Sequence, residues 1–197
     1  MITPIIMESS MGEVKRKFAL LSGIDRVHFD IGDGLFSDLL SIAPADLQEL
    51  DLTGKEVDIH LLVDDPTEWI EESVALQPKR LIGQVEHMGS QVAFIEAAKE
   101  YGVQPGLALE IHTPVEELEQ EALSSCSVVL LLAVPAGTSG SVFDMRVIAK
   151  IKELRKIYRG AILIDGGITP ATYTQVISAG ATEVGANSAW WRGDFEK

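Results

Sequence analysis

Two rhythms of hydrophobic and polar positions alternate along this chain. Short β-branched runs that read as strands are "ITPIIM", "RVHFDI", "EVDIHLLV", "RLIGQVE", "QPGLALEI", "SVVLLLAV", "AILIDGG" and "ATEVGAN". Between them stand longer segments with helical spacing, among them "SSMGEVKRKFALLS", "DPTEWIEESVAL", "SQVAFIEAAKEYG", "TPVEELEQEALSS" and "FDMRVIAKIKELRKIY". Punctuation agrees with the rhythm. Asp65 and Thr113 stand as caps before Pro66 and Pro114, and Gly102, Gly160 and Gly180 follow helical patterns. The stretch "LFSDLLSIAPADLQELDLTG" is less regular and predicts only short helices. Eight strands joined by helical crossovers predict an α/β chain, a single (β/α)8 TIM barrel over residues 1–197. The tail "SAWWRGDFEK" is too short for a full final helix. Two readings of Trp190-Trp191 stay open there: rings that cover the bare flank, or a homo-oligomer interface, the reading preferred here.

Composition narrows the choice of partners. With 30 acidic against 16 basic residues the formal charge is −14, which argues against nucleic acid and against a membrane surface. A small anion could still bind, provided that backbone amides or a metal supply the local field. No apolar run is long enough to span a bilayer, and one cysteine, Cys126, allows no internal disulfide; a cytoplasmic setting is expected.

Alternation along the strands singles out the chemistry. In "VHFDIGDG", His28 and Asp30 share one strand face while Val27, Phe29 and Ile31 share the other. Strand three carries His60 near its end, with Asp58 one layer lower, and strand seven ends at Asp165. In a parallel barrel, functional groups gather at the C-terminal ends of the strands, so His28, Asp30, His60 and Asp165 converge at one mouth. Two imidazoles and two carboxylates suit one divalent cation, with Zn2+, Mn2+ and Fe2+ all compatible. Taken singly, each residue has a plainer role: a histidine bonded to a carbonyl, or an aspartate that caps a turn. Convergence of all four favours a site. Gly137 and Gly140 after strand six, Gly166 and Gly167 after strand seven, and Asn187 and Ser188 after strand eight lie where such barrels often cradle phosphate.

Taken in order, "HFDIGDG", "DIHLLV", "LAVPAGTSGSVF", "LIDGGI" and "GANSA" resemble the signature segments of the ribulose-phosphate 3-epimerase family, and the likeness runs from "TPIIM" to "NSAWW". The resemblance implies a metal-dependent barrel enzyme, an isomerase that interconverts D-ribulose 5-phosphate and D-xylulose 5-phosphate. It implies metal binding by His28, Asp30, His60 and Asp165, with Asp30 and Asp165 also the acid/base pair. It further implies substrate and phosphate contacts at His60, Gly137, Thr138, Ser139, Gly140, Gly166, Gly167, Asn187 and Ser188. Inversion beside a carbonyl asks for two such groups, one to take a proton and one to return a proton on the other face. The chain also departs from the family. Ile5 follows Pro4 where a serine is usual, Gly32, Leu62 and Leu132 stand where methionines line the chamber, and Gln84 replaces a histidine. Two further functions therefore remain open: an epimerase or isomerase acting on another sugar or sugar phosphate, and a non-catalytic relative that binds metal or sugar phosphate.

Overall fold

The computed structural model describes residues 1–195 and closes all eight predicted strands, in chain order, into one parallel barrel. The strands are β1 (Ile2–Ile6), β2 (Arg26–Gly32), β3 (Glu56–Leu62), β4 (Arg80–Gln84), β5 (Gln104–Leu109), β6 (Val128–Leu132), β7 (Ala161–Asp165) and β8 (Glu183–Ala186). Pairing of Ile2 with Val184 and of Thr3 with Gly185 joins β1 to β8 and removes the sheet edge. Among the described residues no helix is long and apolar enough to cross a membrane.

The helices are α1 (Met11–Ala19), α2 (Ile70–Val74), α3 (Gln91–Glu100), α4 (Gln120–Ser125), α5 (Arg146–Ile157), α6 (Pro170–Ala179) and α7 (Ser188–Arg192). Side chains cap three of them: Ser10, Ser90 and Thr169 each accept a first-turn N–H. Two segments expected as whole helices are broken. Asp65 does cap, but the chain after it makes a 3-10 turn, Pro66–Trp69, before α2. After Thr113 the turn Val115–Glu117 precedes α4, and extended Pro114 rather than Thr113 occupies the cap position. The proline fixes its own φ and carries no N–H to continue a ladder. Gly180 ends α6 in the left-handed conformation, as expected, whereas α5 ends at extended Tyr158, before Gly160. The irregular stretch holds one 3-10 turn, Pro44–Glu49. The final helix is indeed short, and Glu196 and Lys197 at the end of the tail lie outside the described residues.

Alternation divides the core in two. Val27, Phe29 and Ile31 of β2, Val57, Ile59 and Leu61 of β3, and Val129 and Leu131 of β6 join the shell between barrel and helices. Inside, Leu62, Ile82, Ala108, Val128, Leu130, Leu132 and Leu163 form a second, separate apolar cluster. That inner cluster draws its residues from β3 to β7. The inner positions of β2 and the start of β3 are polar instead: Arg26, His28, Asp30 and Asp58 are all buried. Trp191 covers the flank of β1, where its indole N–H donates to the Ile5 carbonyl at 2.8 Å and its ring lies under Lys17 Nζ, 4.9 Å from the centroid.

Candidate active site

Parallel register sets the polar residues side by side. His28 on β2 pairs with Asp58 on β3, and Asp30 pairs with His60. Asp30 Oδ1 lies 3.2 Å from His28 Nε2 and 3.0 Å from His60 Nδ1, so one carboxylate oxygen bridges two imidazoles. The two rings meet edge to face with centroids 5.7 Å apart. His28, Asp30 and His60 each present a donor atom, all within 4.8 Å of one another and all buried. Those three donors fit a divalent cation: two borderline nitrogens and one hard oxygen converge where few other partners exist. Asp165, the fourth expected ligand, is not in this group; β7 carries it on the other side of β1 and β8.

The electrostatics of the four groups differ sharply. Burial pushes the Asp165 carboxyl up to about 8, and the charge of Asp30 adds to the rise. Burial acts on Asp30 in the same direction, but the hydrogen bonds from His28 and His60 outweigh it and hold Asp30 well below the usual carboxylate value. Desolvation lowers His60. It opposes the rise of His28 as well, yet Asp30, and then Asp58 and Asp165, lift that imidazole above its ordinary value.

Above this layer opens a narrow cleft. Asp30 and Asp165 both face it, and so do Gly137, Thr138, Ser139, Gly140, Gly166, Gly167, Asn187 and Ser188, the whole expected set of phosphate residues. His28 and His60 do not line it; both are completely buried. Gly166 and Gly167 adopt φ of +98° and +64°, a region that penalises any side chain. Their turn lies against Val134 and Phe143 of the preceding loop, where a Cβ on either glycine would collide.

Several contributors escape a reading of the sequence alone. Met7 and Ile168 add apolar surface to the cleft. The loop after β2 folds over the mouth. Its Leu39 packs with the inner cluster and fills the space beside Gly32, and Ser37 and Leu39 press on Gly137 of the β6 loop. Asp33 anchors that loop as an Asx turn, accepting from Leu35 N and Phe36 N, and also accepts Asp64 N at 2.9 Å. Lower in the barrel, Asp58 accepts two hydrogen bonds from Arg26, each 2.9 Å, and stands 4.0 Å from His28 Nδ1. Arg80 holds Glu183 by two contacts of 2.8 Å beside this pair. The signal for that network was present: Arg26, Arg80 and Glu183 occur on strands at inward positions.

Comparison with known proteins agrees with the geometry. Residues 1–191 match the ribulose-phosphate 3-epimerase family model. Ribulose-phosphate 3-epimerase of Synechocystis sp. is 29% identical over 198 residues, covering 95% of this chain and 86% of that protein. The Bacillus subtilis enzyme of the same name is 32% identical over 174 residues, covering 85% and 80%. Among solved structures, the N-acetylmannosamine-6-phosphate 2-epimerase of Clostridium perfringens superposes with a TM-score of 0.66 at 13% identity, over 95% of this chain and 86% of that one, a likeness of fold alone. An eight-stranded barrel with paired carboxylates over a His/Asp/His cluster, matched across almost its whole length, thus belongs to the ribulose-phosphate 3-epimerase family and is a carbohydrate epimerase.

Proposed function

We propose that the chain interconverts D-ribulose 5-phosphate and D-xylulose 5-phosphate by moving a proton at C3 between two aspartates, with one divalent cation, Zn2+, Mn2+ or Fe2+, in the site. The observation that carries this reading is that Asp30 and Asp165, from β2 and β7, face one cleft whose other wall is built from the glycine-bearing loops after β6 and β7 and from Asn187 and Ser188 after β8. A sugar phosphate with its phosphate among Gly137–Gly140, Gly166, Gly167, Asn187 and Ser188 would place its carbon chain toward the two carboxyls. Backbone N–H groups suit this task in a chain of net charge −14, because they attract an anion without a cationic side chain.

One carboxylate takes the C3 proton, leaving an enediolate, and the other carboxylic acid returns a proton to the opposite face. The two aspartates exchange roles when the reaction runs backward. His28, Asp30 and His60, joined by Asp165, would hold the cation. When bound, it would supply positive charge that offsets the developing enediolate and favours the ionised form of the aspartate that acts as base. The protein's own part is positional. Asp30 is fixed by two imidazoles, and Leu62 and Leu132 form a dry wall beside it.

Another phosphorylated ketose is the second reading, favoured by Leu39, which occupies the space beside Gly32 and reshapes the chamber. Proton NMR of ribulose 5-phosphate with chelator-stripped protein, then with Zn2+, Mn2+ or Fe2+ restored, separates these. Xylulose 5-phosphate formed only with metal supports the proposal. No product with any of the three would sink it, and equal rates in stripped protein would remove the metal from the account.

A further inference from the structure

Unpartnered polar atoms fall on neighbouring inward positions of β3 and at the end of β4. His60 Nε2, both amide atoms of Gln84 and Oε2 of Glu86 are buried and have no hydrogen-bond partner among the described residues. The other side chains with such atoms, Thr3, His28, Ser73 and Arg80, contribute one each. Gln84 is 0% exposed. It points into the barrel, because the neighbouring position Gly83 faces Pro66, Met88 and Phe94 on the helix side, and Ile82 belongs to the inner cluster. His60 pairs with Ile82 in register, so Gln84 is its diagonal neighbour one layer nearer the mouth, within reach of a long side chain. Glu86, two residues further on, is pinned by the Glu110 N–H, which donates to its Oε1 at 2.7 Å, and its carboxylate lies within electrostatic reach of His60.

We infer that Gln84 and Glu86 are positioning residues that hold the His60 ring through one internal water, shared by His60 Nε2, the Gln84 carboxamide and Glu86 Oε2. The stoichiometry suits a water. With a cation on Nδ1, two N–H groups donate to it, from His60 Nε2 and Gln84, and it donates to two oxygens, Gln84 Oε1 and Glu86 Oε2. Internal waters make two to four such bonds, and each buried polar group left unpaired would cost about 1–3 kcal/mol. The consequence reaches Asp30. A histidine that turns Nδ1 toward a cation must carry its proton on Nε2, and that proton needs an acceptor. The water relays Glu86 to that nitrogen, so the ring can present a bare Nδ1 to a cation; without one, Nδ1–H donates to Asp30, 3.0 Å away, and Nε2 accepts from the same water. This inference rests on the reading of His60 as a metal donor, and it adds Gln84 and Glu86 to the machinery that orients it.

Gln84→Met removes both amide atoms at nearly constant volume, and Gln84→His restores a donor and an acceptor. Zn2+ affinity, measured by competition with a chromophoric chelator, is expected to fall roughly 10- to 100-fold in Gln84→Met and to recover most of that loss in Gln84→His, with the melting temperature of the metal-free protein unchanged or raised. Equal Zn2+ affinity in wild type and Gln84→Met would overturn the inference. A second readout needs neither metal nor a variant: cross-relaxation between the His60 ring protons and a long-lived water in metal-free protein is expected, and its absence overturns the inference too. The two readings fail separately. Wild type that binds no Zn2+ contradicts the metal centre, while the water signal still decides the role of Gln84 and Glu86.

Discussion

Replacing Asp58 by asparagine removes one charge from a balanced, buried quartet, and its cost can be worked out from the contacts. Arg26 and Arg80 stand against Asp58 and Glu183 near the N-terminal ends of β2, β3, β4 and β8. Asp58 is 1% exposed and Arg26 8%. Without the carboxylate, Arg26 keeps only Glu183 at 3.7 Å, already claimed by Arg80, and half-exposed Glu56 at 3.9 Å. Breaking a buried pair from one side costs about 3–5 kcal/mol, because the remaining charge stays desolvated. For a chain of this length that lowers the melting temperature by roughly 6–20 °C. The double variant Arg26→Met/Asp58→Leu leaves the Arg80–Glu183 pair neutral, so it should melt within about 1–2 kcal/mol of the wild type, or above it. Calorimetry and urea titration of metal-free protein at neutral pH measure both. The reasoning fails if Asp58→Asn melts with the wild type, or if the double variant falls as far as the single one.

Three other outcomes follow from particular contacts. Lys150 is buried and hydrogen-bonded to the Glu110 carbonyl, and desolvation lowers its ammonium from 10.5 to about 8. The native state then binds fewer protons than the unfolded chain between those two values, so wild-type stability rises with pH across that window. The stability of Lys150→Met relative to wild type should therefore decline from pH 8 to pH 10.5 in paired urea titrations; a flat difference would contradict the assignment. Burial pushes the Cys126 thiol up to about 11, and its Sγ lies 2.8 Å from the Val128 carbonyl oxygen, to which the S–H donates, so a thiol reagent should react only as the protein unfolds around it. A Cβ at Gly32 would meet Leu39 O at 2.5 Å, so Gly32→Ala must displace the loop that Gly34 N and Ser41 N tie down. A loss of about 1–3 kcal/mol by urea titration and a raised KM for ribulose 5-phosphate are expected; unchanged values would show that the loop yields freely.

The barrel was legible because its pattern is local. Each strand declares itself by a β-branched run, and alternation alone placed His28 and Asp30 on the inner face, where Arg26 and Asp58 are also found. The phosphate loops were legible for a related reason, since glycine after a strand end marks a turn that approaches a ligand closely. Helix interiors between β3 and β4 and between β5 and β6 were overestimated. Proline near a short apolar stripe permits a 3-10 turn as readily as a helix, and packing decides between them. Leu39 and Ser37 could not be placed from sequence, because their contacts with Gly32 and Gly137 depend on how an irregular loop crosses the mouth.

The central claim is that two aspartates, one on each side of the substrate, share the proton transfer at C3. The most direct test follows ribulose 5-phosphate and xylulose 5-phosphate separately in D2O with metal-loaded Asp165→Asn and Asp30→Asn. The account predicts that neither variant makes the other epimer, while each retains C3 exchange into deuterium from at most one epimer, the opposite one in the two variants. Epimerisation at wild-type rate in either variant would contradict it.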